Sequence, residues 1–153
     1  MQRNRTIADC GKGLVAAEQV CKLSGARLTP LRRRVLELVL ACGKPVGAYS
    51  LLSELRADGY SDAPPTIYRT LEFLRAHGLV HRIAKSSTFV ACCRPRNGHC
   101  GLIFVCTGCG GAMELQEQEI MDDITQRAAG LGYRIPRQIV EIEGVCNACQ
   151  AVS

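Results

Sequence analysis

Ala63-Pro64-Pro65-Thr66-Ile67-Tyr68-Arg69-Thr70-Leu71-Glu72-Phe73-Leu74-Arg75-Ala76-His77-Gly78 is the stretch on which the fold turns. Ile67, Leu71 and Leu74 recur at helical steps and so share one helix face. Ala63-Pro64-Pro65 opens that helix, predicted over 66–77, and Gly78 stands where a left-handed residue closes a last turn. Two β-type runs follow, 79–83 and 88–92, joined by Ala84-Lys85-Ser86-Ser87, and read as a hairpin.

Upstream, residues 10–24 carry Leu14, Val15, Val20 and Leu23 close to a helical period. Thr29-Pro30 supplies an N-cap and a first-turn proline for a helix over 31–42, with Val35, Leu36, Val39 and Leu40 turned inward. Gly43-Lys44-Pro45 ends it. A third helix, about 48–58, buries Leu51, Leu52 and Leu55, and Gly59-Tyr60-Ser61-Asp62 turns into the fourth. Three helices, a helix after a short turn and then a hairpin is the order of a winged helix-turn-helix.

Downstream the character changes. Arg94-Pro95-Arg96-Asn97-Gly98 is polar and contains proline and glycine, the best linker candidate in the chain. An apolar run over 102–106, a Gly110-Gly111 turn, a strand over 112–115, a helix over 118–129 ending at Gly130 and a strand over 133–142 make a small α+β unit. The predicted organisation is an α+β protein with domains over 1–92 and 99–153 and a hinge over 93–98.

The 153 residues carry a net charge of +5, unevenly spread. Residues 1–84 hold 13 Lys/Arg against 7 Asp/Glu, a net of +6, and residues 85–153 hold 6 against 7, a net of −1. A basic first half suits a polyanion partner, although charge alone reads more readily as a solvated surface. No run of about 18 apolar residues exists, which excludes a membrane-spanning helix. The basic start, Met1-Gln2-Arg3-Asn4-Arg5, leads into no apolar segment, so no signal peptide is read and a cytoplasmic protein is expected.

Ten cysteines in such a chain argue for metal or redox chemistry and against disulfides. Cys106-Thr107-Gly108-Cys109 and Cys146-Asn147-Ala148-Cys149 are the strongest local signal. Two residues between thiols let both sulfurs reach one tetrahedral ion, and two such turns complete a closed, structural Cys₄ zinc site. The 36 intervening residues exceed the usual zinc-ribbon spacing but hold strand, helix and strand enough to fold back. The competing reading is a thioredoxin-like redox pair, which two copies without a βαβ context disfavour. Cys10, Cys21 and Cys42 lie in helical stretches and read as small buried hydrophobes. Cys93 and Cys100 take no assignment.

His81, Cys92, His99 and Glu114 form a second candidate set of nitrogen, sulfur and oxygen donors that suits zinc. A tight turn at 85–87 would pair residue 81 with about residue 90, and 90 and 92 share a face, which brings His81 and Cys92 together. A one-residue slip would separate them. Spacing alone favours the plainer reading, a surface histidine and a solvated carboxylate. Thr66, Tyr68 and Arg69, at the N-terminal end of the fourth helix, are candidate DNA contacts, with Arg69 suited to bidentate pairing with guanine. Tyr49, near the start of the third helix, is placed to meet a phosphate or a thymine methyl.

Arg27-Leu28-Thr29-Pro30-Leu31-Arg32, Ala48-Tyr49-Ser50-Leu51-Leu52, Pro64-Pro65-Thr66-Ile67-Tyr68-Arg69-Thr70-Leu71, Gly78-Leu79-Val80-His81 and the two CxxC pairs, in that order, resemble the ferric uptake regulator (Fur) family over roughly residues 10–150. Within that family the chain is most similar to the zinc-sensing branch. The resemblance implies a homodimer on palindromic operator DNA, held together through the C-terminal domain. It implies two zinc ions per chain, a structural one at Cys106, Cys109, Cys146 and Cys149 and a regulatory one at His81, Cys92, His99 and Glu114. It places Tyr49 and Arg69 on DNA, and implies a repressor of zinc uptake genes rather than an enzyme, with no membrane or small organic ligand. The His-rich run of iron and peroxide sensors is absent, with Asn97-Gly98-His99-Cys100 in its place, and Ile135-Pro136-Arg137 replaces a late histidine. An iron or peroxide sensor of the same fold, and a zinc-stabilised thiol oxidoreductase, are the alternatives.

Overall fold

The structure, a computed structural model, describes residues 10–60, 63–92, 94–95, 101–115, 117–135 and 139–152. The chain divides into two compact units, Met1–Asn97 and Gly98–Ser153.

The first unit runs α1 (Cys10–Leu23), α2 (Pro30–Cys42), β1 (Val46–Gly47), α3 (Ala48–Ala57), α4 (Pro64–Ala76), β2 (Val80–Ile83) and β3 (Thr88–Ala91). Thr29 caps α2 as expected, its Oγ1 accepting from the Arg32 N–H at 3.4 Å, with Pro30 at the first position. Val35, Leu36 and Val39 of α2, Leu51 and Leu55 of α3 and Ile67, Leu71 and Leu74 of α4 meet in one core with Leu79, Val80 and Phe89. Each such side chain stabilises the unit by about 1.5–3 kcal/mol relative to exposure. This core holds α4 by one face and leaves its opposite face to solvent. The two strands pair antiparallel, with His81 opposite Val90 and Val80 opposite Ala91, so the 81-to-90 register predicted from the turn is the one observed. The order is β1-β3-β2. β1 was not foreseen, since two residues carry no periodicity; Val46 and Gly47 pair with Phe89 and Thr88.

Several expectations are corrected. The fourth helix starts at Pro64 and not at Thr66, because first-turn N–H groups have no intrahelical partner and prolines lose nothing there. It ends at Ala76, one residue short of the predicted His77, and Gly78 takes the expected left-handed conformation, at φ +68°, with the Leu79 N–H donating to the Leu74 carbonyl at 2.9 Å. On α1 the inward residues are Ala17, Val20 and Cys21, while Val15 and Leu23 are exposed and Leu14 is half-buried. Leu40 is only half-buried. Cys21 is the small buried hydrophobe expected, its thiol pushed up by burial. Cys42, at the last turn of α2, is exposed instead. The side chain of Cys10, and all of Cys93 and Cys100, lie outside the described residues.

The second unit runs β4 (Gly101–Cys106), β5 (Ala112–Leu115), α5 (Gln118–Gly130), β6 (Ile139–Gly144) and α6 (Asn147–Gln150). β4 is central, antiparallel to β5 and parallel to β6. A parallel neighbour needs a crossover, and α5 supplies it. Leu102, Ile103, Cys106 and Met121 are the buried apolar residues here among those described. The helix runs through Gly130, one residue past the predicted 129, and the left-handed turn comes at Gly132, at φ +83°. The last strand is shorter and later than 133–142; Pro136, which has no N–H for a ladder, was the sign against an early start. Among the described residues no helix is long and apolar enough to cross a membrane.

Candidate metal centre

Parallel pairing of β4 with β6 builds the cysteine site. The register sets Cys106 beside Gly144, so the turns that leave the two strands emerge at the same end of the sheet. Thr107 fastens them, its N–H donating to the Gly144 carbonyl at 2.8 Å and its hydroxyl to the same oxygen at 3.2 Å. The first turn is closed by the Gly110 N–H on the Cys106 carbonyl at 2.9 Å, and the second by the Gln150 N–H on the Cys146 carbonyl at 3.0 Å. Cys106, Cys109, Cys146 and Cys149 converge, with all four sulfurs within 4.8 Å of one another.

The spacing fits a tetrahedral ion. Zn–S bonds of about 2.3 Å imply sulfur–sulfur edges of roughly 3.8 Å, and Cys109 Sγ lies 3.8 Å from Cys146 Sγ. The backbone prepares the first sulfur: the Cys146 N–H donates to Cys106 Sγ at 3.3 Å and the Gly108 N–H at 3.4 Å. Donation from Cys146, then Cys109 and Gly108, holds the Cys106 thiol down to about 6. Cys149 is pushed up to about 12 by the sulfurs of Cys146, Cys106 and Cys109. Four sulfurs this close do not all ionise together without a cation among them, so zinc would displace protons as it enters. Four soft donors and no open position suit structural zinc and do not suit a redox pair.

Gly108 is a residue that motif reading passed over. A Cβ there would stand 2.9 Å from Cys149 Sγ and 3.1 Å from Cys149 Cβ, so only glycine lets the two turns close on one centre. Gly108→Ala is expected to leave the first unit intact and weaken zinc retention about 10–100-fold, the usual cost of disturbing the support of a ligand. Competition with a chromophoric chelator checks this; retention equal to wild type contradicts it.

Of the second candidate set, two members belong to the first unit and come together within it. His81 on β2 and Cys92 just beyond β3 are both buried, and their ligand atoms lie within 4.8 Å. The Cys92 N–H continues the ladder, donating to the Leu79 carbonyl at 3.0 Å. Glu114 stands half-buried on β5 of the second unit, beside Gly101, whose added Cβ would meet Glu114 Oε1 at 3.1 Å. His99 lies outside the described residues.

The candidate DNA contacts sit on one helix pair. Tyr68 and Arg69 are exposed on the second turn of α4 and Thr66 is half-buried just before them, while Tyr49, 70% exposed, stands at the start of α3.

Comparison with known proteins bears out the resemblance drawn from the motifs. The sequence profile described as the ferric uptake regulator family matches residues 23–143. The zinc uptake regulation protein of Escherichia coli strain K12 is 34% identical over 140 residues, covering 91% of this chain and 82% of its own length. A crystal structure of holo XcZur is 40% identical with a TM-score of 0.83, covering 92% of this chain and 98% of its own. A zinc uptake regulator complexed with zinc and DNA is 32% identical with a TM-score of 0.85, covering 97% and 98%.

Proposed function

Because the chain belongs to the ferric uptake regulator family, we propose that it is a zinc-responsive transcriptional repressor that binds palindromic operator DNA as a homodimer. It is a regulator and not an enzyme, and it acts in the cytoplasm, where its DNA lies. The observation that carries this reading is the four-sulfur centre of Cys106, Cys109, Cys146 and Cys149 in a chain similar to a regulator solved with zinc and DNA. Two zinc ions per chain are assigned: a structural one at the four cysteines and a regulatory one at His81, Cys92, His99 and Glu114. The nearness of His81 to Cys92 within the first unit supports the second assignment.

Homodimerisation is assigned to the second domain, 99–153. Phe104, Met113 and Ile142 stand opposite one another across β5, β4 and β6 and are 39%, 55% and 40% exposed. In-register residues share a sheet face, and an apolar row left in water on a small sheet calls for a partner surface.

The mechanism is a population shift. With residues 93–98 as hinge, the two DNA-binding domains of a zinc-poor dimer sample many orientations. Zinc binds only where ligands from both domains meet, and so selects the arrangement in which two recognition helices stand about 34–36 Å apart, one turn of DNA. Linkage requires that operator DNA tighten zinc binding by the same factor. Repression then follows from occupancy of promoters, with zinc uptake genes the expected targets.

Within this reading α4 is the recognition helix, and Arg69 reads a base, with Tyr49, Thr66 and Tyr68 beside it. Arg69→Ala should cost about 1–3 kcal/mol on operator DNA and relax preference at one position. Binding isotherms on operator and scrambled duplexes test it: equal loss on both makes Arg69 a phosphate contact and overturns the base-reading role.

A further inference from the structure

We propose that the groove between α4 and the β2–β3 hairpin is a clamp for a DNA phosphodiester, in which Arg82 makes the contact and Ser87 holds Arg82 in position. This deepens the function proposed above and rests on it.

The groove encloses about 500 Å³. Tyr68, Arg69, Glu72 and Arg75 line it from α4, and Arg82 and Ser87 from the hairpin. Arg82 is opposite Phe89 in the ladder, so the two share a face, and the buried Phe89 ring gives the groove an apolar floor. Three guanidiniums face one carboxylate there, which leaves the lining net cationic.

Two of the three cations are held in place. Arg75 donates from Nε and Nη2 to Glu72 Oε1, at 3.0 and 2.7 Å. Arg82 donates from Nη2 to Ser87 Oγ at 3.1 Å. Ser87 has φ +51°, and among the described residues it is the one non-glycine with positive φ. Glycine or asparagine would take that conformation more readily, but glycine has no hydroxyl to accept from Arg82. Strain kept at one residue of an exposed turn points to a use for its side chain. The adjacent Ser86 and Thr88 hydroxyls bond each other at 2.6 Å, which firms the turn.

Position names the ligand. A helix that reads base edges in the major groove is flanked by sugar-phosphate backbone, and groups beside it meet phosphates rather than bases. Arg82 and Arg75 stand beside α4's exposed Arg69 in this way. Guanidinium forks with donors fixed in direction match phosphate oxygens, which a lysine ammonium does only as a point charge.

Salt titrations of binding on an operator duplex, selected on the wild-type zinc-loaded protein, and on a scrambled duplex of equal length test the clamp. For Arg82→Ala the slope of log K against log salt should shrink by about 0.9 per groove, about 1.8 per dimer. Affinity at 0.1 M salt should fall roughly 60-fold on both duplexes alike. Arg82→Lys should keep most of the slope. Ser87→Gly should unfold at the same or a higher temperature and yet lose part of the slope, which a purely structural serine would not do. Circular dichroism and zinc content confirm folding of each variant. An unchanged slope for Arg82→Ala, or a loss confined to the operator, overturns the clamp. A selection on the wild-type zinc-loaded protein that yields no duplex bound better than the scrambled one overturns the regulator reading itself.

Discussion

Cys109→Ser is expected to strip the structural zinc and to dissolve the dimer. A serine hydroxyl stays protonated and does not replace a thiolate on zinc, so the tetrahedron drops to three ligands. The second unit has little else to hold it. Its buried apolar residues among those described are Leu102, Ile103, Cys106 and Met121, and Cys106 is itself a ligand candidate. Domains with so small a core fold only with a staple, and structural zinc contributes apparent binding energies of about 10–16 kcal/mol in comparable small sites. The parallel β4–β6 register would go with the ion, since the Thr107 and Cys106 bonds that join the strand ends lie at the site. Metal analysis should show one zinc fewer per chain, and sedimentation should show monomer. A folded, dimeric Cys109→Ser protein with full zinc content contradicts the assignment.

Cys92→Ser should give the second large effect, on regulation rather than folding. Cys92 is the softest of the four donors proposed for the regulatory ion, and it is buried beside His81. Replacing the thiolate with a hydroxyl should weaken zinc binding there by several orders of magnitude while the Cys₄ zinc stays. The variant should remain a dimer, because dimerisation is assigned to the other domain. It should bind operator as weakly as chelated wild type, with little rescue by added zinc. Protons compete with metal for imidazole and thiolate, so zinc-dependent binding of wild type should weaken in acid. The informative control is Cys93→Ser. Loss of zinc response in Cys93→Ser with Cys92→Ser unaffected would move the ligand by one residue, and an unaltered response in both would remove the sensor role from this site.

What could be read from sequence follows the strength of local signals. Thr29-Pro30 and Gly78 fixed helix ends because caps act within one turn, and the apolar steps of α2, α3 and α4 named the core residues Val35, Leu36, Leu51, Leu55, Ile67, Leu71 and Leu74. The hairpin register was legible through its tight turn, and with it the nearness of His81 to Cys92. The paired CxxC motifs announced one centre, but not its scaffold: the parallel register of β6 on β4 depends on a crossover through α5 that no local pattern encodes. Gly108 was hidden for the same reason, since its need for no side chain arises from Cys149, forty-one residues away in the chain. The start of β6 was misjudged because the apolar residues before Pro136 outweighed the missing N–H. The groove of Arg75 and Arg82 was not legible, because its two walls meet only in the folded unit.

The central claim is that a second zinc, distinct from the one at the four cysteines, switches DNA binding. The most direct test is a zinc titration of the mildly chelated wild-type protein, with metal content and operator affinity measured at every point. The account predicts a folded dimer at one zinc per chain that binds operator no better than scrambled DNA, and tight, operator-selective binding as the second equivalent loads. Equal operator affinity at one and at two zinc ions per chain would contradict it.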